Sequence, residues 1–203
     1  MPVRDPNRSY PRLRPVSGAP RGILTSLCLL ASLTSFGAQS GSRLEFQVKA
    51  AFLYNFAKFI EWPREAFRDA DAGFVICVVD DEEFAGTLEP AIKGKSVDGR
   101  AFRVRRNSSP DQADLCQILY LGTAGTSRIA SYLEAVRTAP VLTVGDSLGF
   151  IRRGGVINFF IRDNRVRFEV NPDAASRAGL RISSKLLQLA SVVRDGKNAE
   201  DGR

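Results

Sequence analysis

The chain contains no histidine. This excludes Ser-His-Asp and Cys-His nucleophile systems, HExxH zinc sites and imidazole acid–base catalysis. It also lacks a hydrophobic run long enough to span a bilayer: the longest, Ile23 to Leu33, covers only 11 residues. Cysteine is scarce, with three in 203 residues, and no segment repeats. With 44% apolar and 25% charged residues, the composition fits one compact domain rather than a disordered or multi-span protein.

The first 22 residues carry five arginines, interspersed with Pro2, Pro6, Pro11, Pro15 and Pro20. A basic, irregular start, an apolar run and then small residues at Ser35, Gly37 and Ala38 form the layout of a secretory signal. Residues 1–37 therefore read as a cleaved signal peptide. Cys28 follows Leu27, where a lipoprotein would place a small residue. Without those 37 residues the chain keeps 24 basic and 21 acidic residues, so the net charge falls from +7 to +3. The basic character belongs largely to the leader, which removes the case for a nucleic-acid partner. Two cysteines remain, Cys77 and Cys116. In an oxidising compartment they read as one disulfide closing a loop of 39 residues, with two buried thiols as the alternative.

From Glu45 to Glu61 the residues Phe46, Ala50, Leu53, Ala57 and Ile60 share one helical stripe, and Phe52, Phe56 and Phe59 form a second beside it. Such a helix is buried on two sides, wholly in the core or shared with a partner chain; Trp62-Pro63 ends it. Phe74–Val79 (FVICVV) reads as a strand covered on both faces, and Asp80–Gly94 as a helix. Ala101–Arg105, Gln117–Leu121 and Val141–Val144 read as further strands, with a short helical piece at 111–115 and a helix over 127–138. The alternation predicts an α/β fold: a single three-layer domain over 45–194 with a mostly parallel sheet and flanking helices. Val156–Ile161 and Val166–Val170, joined through Asp163-Asn164, add a C-terminal antiparallel hairpin. Ser183 or Ser184 caps a last helix carrying Leu186, Leu187, Leu189, Ala190 and Val193, and 195–203 is a polar tail.

The acidic run Asp80-Asp81-Glu82-Glu83 looks like the metal-binding strand end of a receiver domain, but the other strands lack the matching aspartate and lysine. Solvated carboxylates at a helix start are the alternative. Gly122-Thr-Ala-Gly-Thr-Ser127 lies between strand and helix without the Gly-Lys-Ser/Thr ending of a phosphate loop, so Thr126 or Ser127 reads as an N-cap. Candidate ligand contacts are Arg64, beside Trp62-Pro63, and Arg181 with Ser183, at the start of the last helix, where they could line an anion pocket. No constellation supplies a nucleophile with its base, a carboxylate pair or a metal set, and the chemistry calls for no cofactor. An exported binding or regulatory protein, not an enzyme, is the expectation.

Lys49-Ala-Ala-Phe-Leu-Tyr-Asn-Phe-Ala-Lys-Phe-Ile-Glu-Trp-Pro63, Leu142-Thr-Val-Gly-Asp146, Gly154-Gly-Val-Ile-Asn-Phe159, Arg167-Phe-Glu-Val-Asn171 and Gly179–Ala190 together resemble the YfiR-like family of small periplasmic proteins. The resemblance implies a periplasmic repressor of an inner-membrane diguanylate cyclase. It would act on the cyclase's periplasmic sensor region, keep cyclic-di-GMP low and so limit biofilm, and an outer-membrane lipoprotein can sequester it. It further implies a homodimer and a cystine between Cys77 and Cys116. The second cystine of some members, near residues 149–159, has no counterpart here. Phe52, Phe56 and Phe59, with Arg152 and Arg153, are the expected partner contacts.

Overall fold

The computed structural model describes residues 38–69, 72–106, 109–122 and 128–195. The expected signal peptide, the caps at Thr126 and Ser127 and the tail past 195 lie outside them.

Helix α1 (Ala38–Phe59) is followed by β1 (Ile60–Glu61), which pairs with Arg181–Ile182, and Pro63 then bars Trp62 from helical backbone. A 3-10 turn (Arg64–Ala66) leads to β2 (Phe74–Val79), α2 (Glu82–Ile92), β3 (Ser96–Val97) and β4 (Arg100–Arg106). A second 3-10 turn (Pro110–Leu115), β5 (Ile118–Leu121), α3 (Ile129–Ala135) and β6 (Leu142–Gly145) follow. After a third 3-10 turn (Ile151–Arg153) come β7 (Ile157–Arg162), β8 (Arg165–Val170), α4 (Pro172–Arg177), β9 (Arg181–Ile182), α5 (Ser184–Leu189) and β10 (Ser191–Val192).

Eight strands form one sheet in the order β10-β8-β7-β6-β5-β2-β4-β3, with β4, β2, β5, β6 and β7 parallel. The expected α/β layer with its antiparallel hairpin is therefore the observed fold. Asp163 and Asn164 both have positive φ, 52° and 55°, which is the two-residue turn whose twist matches a hairpin. Ile76 and Val78 point to one hydrophobic cluster, shared with α1, α2, α4 and α5; Cys77 and Val79 point to another, shared with α3 and Phe150. The sheet is covered on both faces, as its unbroken apolar strands require.

Several elements differ from the sequence reading. α2 starts two residues later than expected, because Asp80 adopts φ 54° and Asp81 becomes the N-cap, its Oδ1 accepting the Phe84 amide. α5 stops at Leu189: Ala190 turns extended, and Ser191–Val192 pairs with β8 instead of continuing the helix. α4 was not anticipated. Asn171 caps it through two backbone amides at 3.0 Å, and Pro172 occupies its first turn.

Cys77 and Cys116 are joined, their Cα atoms 5.8 Å apart, stitching β2 to the segment entering β5. Loop-closure entropy for 39 residues is worth about 4 kcal/mol. Phe150 is completely buried and wedged between two glycines: a Cβ at Gly145 or Gly155 would meet its ring closer than 3.0 Å. Gly154, at φ 97°, turns the chain back over that ring with open space around it.

Gly155→Ala is expected to lose about 1–3 kcal/mol by overpacking. Gly154→Ala is expected to lose about 1–2 kcal/mol from backbone strain alone. Urea unfolding of each in wild-type and Phe150→Leu backgrounds separates the causes: the cost at 155 shrinks with the smaller side chain, and the cost at 154 does not.

Candidate functional site

The carboxyl ends of β2, β5 and β6 gather a set of charged and polar groups against α1. β2 is followed by β4 on one side and β5 on the other, so this end lies at the topological switch point where open α/β sheets place ligands. Lys49 lies on the inward stripe of α1, its side chain only 5% exposed. Its Nζ donates to Asp146 Oδ2 at 2.9 Å and pairs with Glu45 at 2.6 Å, one helical turn earlier. The Tyr120 hydroxyl donates to the same Asp146 oxygen at 2.8 Å, while Asp146 Oδ1 is buried without a hydrogen-bond partner among the described residues. Gly122 leaves room for Asp81, whose Oδ2 would stand 2.9 Å from a Cβ there.

Burial opposes the charge on Lys49, but Asp146 and Glu45 outweigh it and its pKa lies above the usual value. Burial raises the Asp81 carboxyl above its usual 3.8, with Asp146 pushing the same way against the Phe84 amide. Tyr120 is pushed well up by burial and then by Asp146. The arrangement locks a helix to a strand end. Among the described residues no group of acids or cysteines could hold a metal. In the acidic run, Asp80 pairs with Arg128 and Glu82 with Arg106, 2.7 Å apart, so with Asp81 three of its four carboxylates serve as cap or ion-pair partners.

The second aromatic stripe divides. Phe56 has no exposed surface, which corrects the expectation of a partner contact there: its ring packs on Phe159 and Phe168 at 5.8 and 5.2 Å. Phe52, half-buried, leans on the same two rings at 5.9 and 5.3 Å, and Phe59 is half-buried beside them. Arg152 and Arg153 are exposed on the third 3-10 turn.

Arg64 lines a cleft of about 470 Å³ with Trp62, Phe67, Phe74 and Arg100, and the Trp62 Nε1 donor there is buried without a partner among the described residues. Arg181 and Ser183 are not among its walls, which corrects the expectation of a shared anion pocket. Arg181 pairs with Glu61 across β1 and β9 at 2.8 Å with both side chains largely exposed, and the Ser183 oxygen accepts the Leu186 amide as the cap of α5. The six-residue α5 offers little dipole beyond that cap.

Local patterns did not reveal the Lys49 cluster, whose partners are 97 residues apart. The available signal was a lysine on the inward stripe of an apolar helix, since a cation there requires a buried carboxylate.

Removing one member of the pair strands the other: Lys49→Met or Asp146→Asn should each cost about 3–5 kcal/mol, and Lys49→Met/Asp146→Leu should recover most of it. Asp81→Asn keeps the cap and removes a buried charge. A raised carboxyl pKa means the folded state binds the proton more tightly, so wild type loses stability as pH rises past 3.8. Asp81→Asn should therefore exceed wild type at pH 7 and lose that advantage towards pH 4, as read by urea midpoints.

Among solved structures the chain is similar to a conserved domain protein from Vibrio cholerae O1 biovar El Tor strain N16961, at 12% identity and a TM-score of 0.49 over 72% of this chain. It is also similar to the ABC domain of Streptococcus pneumonia in complex with L-Trp, at 11% identity and a TM-score of 0.42 over 59% of this chain. It spans 59% and 56% of those two chains. The YfiR/HmsC-like family model matches residues 46–191, from the inward stripe of α1 through the Gly145-Asp146 turn and the hairpin to the first residue of β10, and the chain belongs to the YfiR/HmsC-like family.

Proposed function

We propose that this chain is a periplasmic repressor of a membrane-bound diguanylate cyclase, binding the cyclase's periplasmic region and lowering cyclic-di-GMP signalling. The observation that carries this reading is the family match over 46–191, which takes in every element from α1 to the start of β10. It agrees with the secretory layout of residues 1–37 and with the buried Cys77–Cys116 bond, which suits an oxidising compartment. No described helix is long and apolar enough to cross a membrane.

Repression is a population shift: the repressor binds the inactive cyclase more tightly than the active one. A hundredfold change in their ratio requires about 2.8 kcal/mol of differential affinity. Phe52 and Phe59 supply half-buried aromatic surface for that contact, and Arg152 and Arg153 supply exposed charge. In this reading the protein works as a homodimer, and an outer-membrane lipoprotein relieves repression by sequestering it.

A second reading has its own observation: the cleft sets Arg64, Arg68 and Arg100 against Asp69 and Asp98, and its Trp62 indole has no partner among the described residues, which suits a small ligand with an anionic group and would make the chain a periplasmic sensor or transport accessory. The two functions are compatible.

Deleting the gene should raise cellular cyclic-di-GMP, and complementation should reverse this only with the exported form, not with one lacking residues 1–37. Phe59→Ser and Arg152→Glu should each leave a folded, exported protein and weaken repression at least about tenfold. Unchanged cyclic-di-GMP on deletion overturns the repressor reading.

A further inference from the structure

A second cleft, of about 610 Å³, opens between α3 and α4 beside the third 3-10 turn. It is bordered by Leu133, Glu134 and Arg137 at α3, Arg153 on the third 3-10 turn, and Ala174 and Arg177 of α4. Leu133 and Ala174 are buried and give the cleft an apolar floor, and three arginines are among its lining residues. Arg177 is paired with Asp195, whose carboxyl is held below its usual pKa by Asn171 and by that arginine. Arg137 and Arg153 have no carboxylate partner among the described residues. Among the described residues Glu134 is the only acid on the cleft wall, and no ion pair joins it to Arg137 three residues away.

Helix dipoles explain part of this. Arg177 is the last residue of α4, where a cation gains about 0.3–1 kcal/mol, whereas Arg137 follows the end of α3 by two residues. Dipoles do not explain Arg153, whose place is set by the wedge around Phe150. The Arg153 amide donates to the Phe150 carbonyl at 3.1 Å, and the amides of Gly154 and Gly155 close the turn at 2.9 and 3.1 Å. The backbone beneath Arg153 is thus fixed before any ligand arrives, which lowers the ordering cost of binding. Guanidinium forks match carboxylate and phosphate oxygens, and the volume falls in the range of small-molecule sites, about 300–1,000 Å³.

We infer that this cleft is a binding site for a multivalent oxyanion of metabolite size, a polycarboxylate or a phosphate ester, held by Arg137 and Arg153 over the Leu133–Ala174 floor with Arg177 completing the cationic wall. The site is separate from the cleft at Trp62 and Arg64.

Titration calorimetry of the purified protein with citrate and with pyrophosphate, at about 20 mM salt, tests this without any cyclase present. Saturable binding of either probe is expected, tighter citrate binding assigning a polycarboxylate and tighter pyrophosphate binding a phosphate ester. Arg137→Ala and Arg153→Ala should each weaken binding at least about tenfold while unfolding cooperatively in urea. Lys185→Ala, which removes an equal charge from the surface of α5, should leave it unchanged. The inference is overturned if neither probe saturates by about 10 mM, if the arginine variants bind like wild type, or if Lys185→Ala weakens binding as much as they do.

Discussion

A lysine inside an apolar core must meet a carboxylate, and that requirement sets how α1 lies on the sheet. Lys49 reaches Asp146 only when the helix sits in one register, since a slip of one turn would carry its ammonium about 5.4 Å away. With that register fixed, Phe52 and Phe56 fall over Phe159 and Phe168, and the end of the helix brings Ile60 and Glu61 opposite Ile182 and Arg181. The chain then reverses at Trp62-Pro63, beside the cleft that Arg64 borders. A polar contact midway along α1 therefore positions the aromatic patch in its second half and a cavity beyond its carboxyl end.

The two faces of the sheet are built differently. On the α1 side the packing is aromatic and continuous, with rings of α1 and α2 resting on rings of the strands. On the α3 side the cluster is smaller and is held by two rigid devices, the Cys77–Cys116 bond and the glycine-bounded Phe150. The groups gathered at the carboxyl ends of the strands are turned on each other rather than outward: Asp146 receives Lys49 and Tyr120, and Asp81 caps its own helix.

Strands were legible wherever they were unbroken and apolar, so Phe74–Val79 was placed to the residue, and Asp163-Asn164 disclosed the hairpin turn because few residues accept two successive positive φ angles. Short elements were not. Ser191–Val192 continues a helical spacing with Leu189 and Ala190, and only pairing with β8 turns it into a strand. Asn171-Pro172 carried a readable helix start that the strong β-pattern before it obscured. The aromatic stripe could be read as a stripe, but its division into buried Phe56 and half-buried Phe52 and Phe59 depends on strands about a hundred residues away in the chain. The same distance hid the partner of Lys49, and the pairing of Arg181 with Glu61 removed it from the pocket that its neighbours suggested.

Cys77 and Cys116 are 0% and 1% exposed. An oxidant therefore has no route to either sulfur once α3 and the second 3-10 turn have settled over β2 and β5. Either exchange, oxidation of the dithiol or reduction of the disulfide, therefore waits on an opening of the segments that cover the pair. Burial makes the pair slow to change in both directions, so a molecule holds its redox state for as long as that cover stays closed.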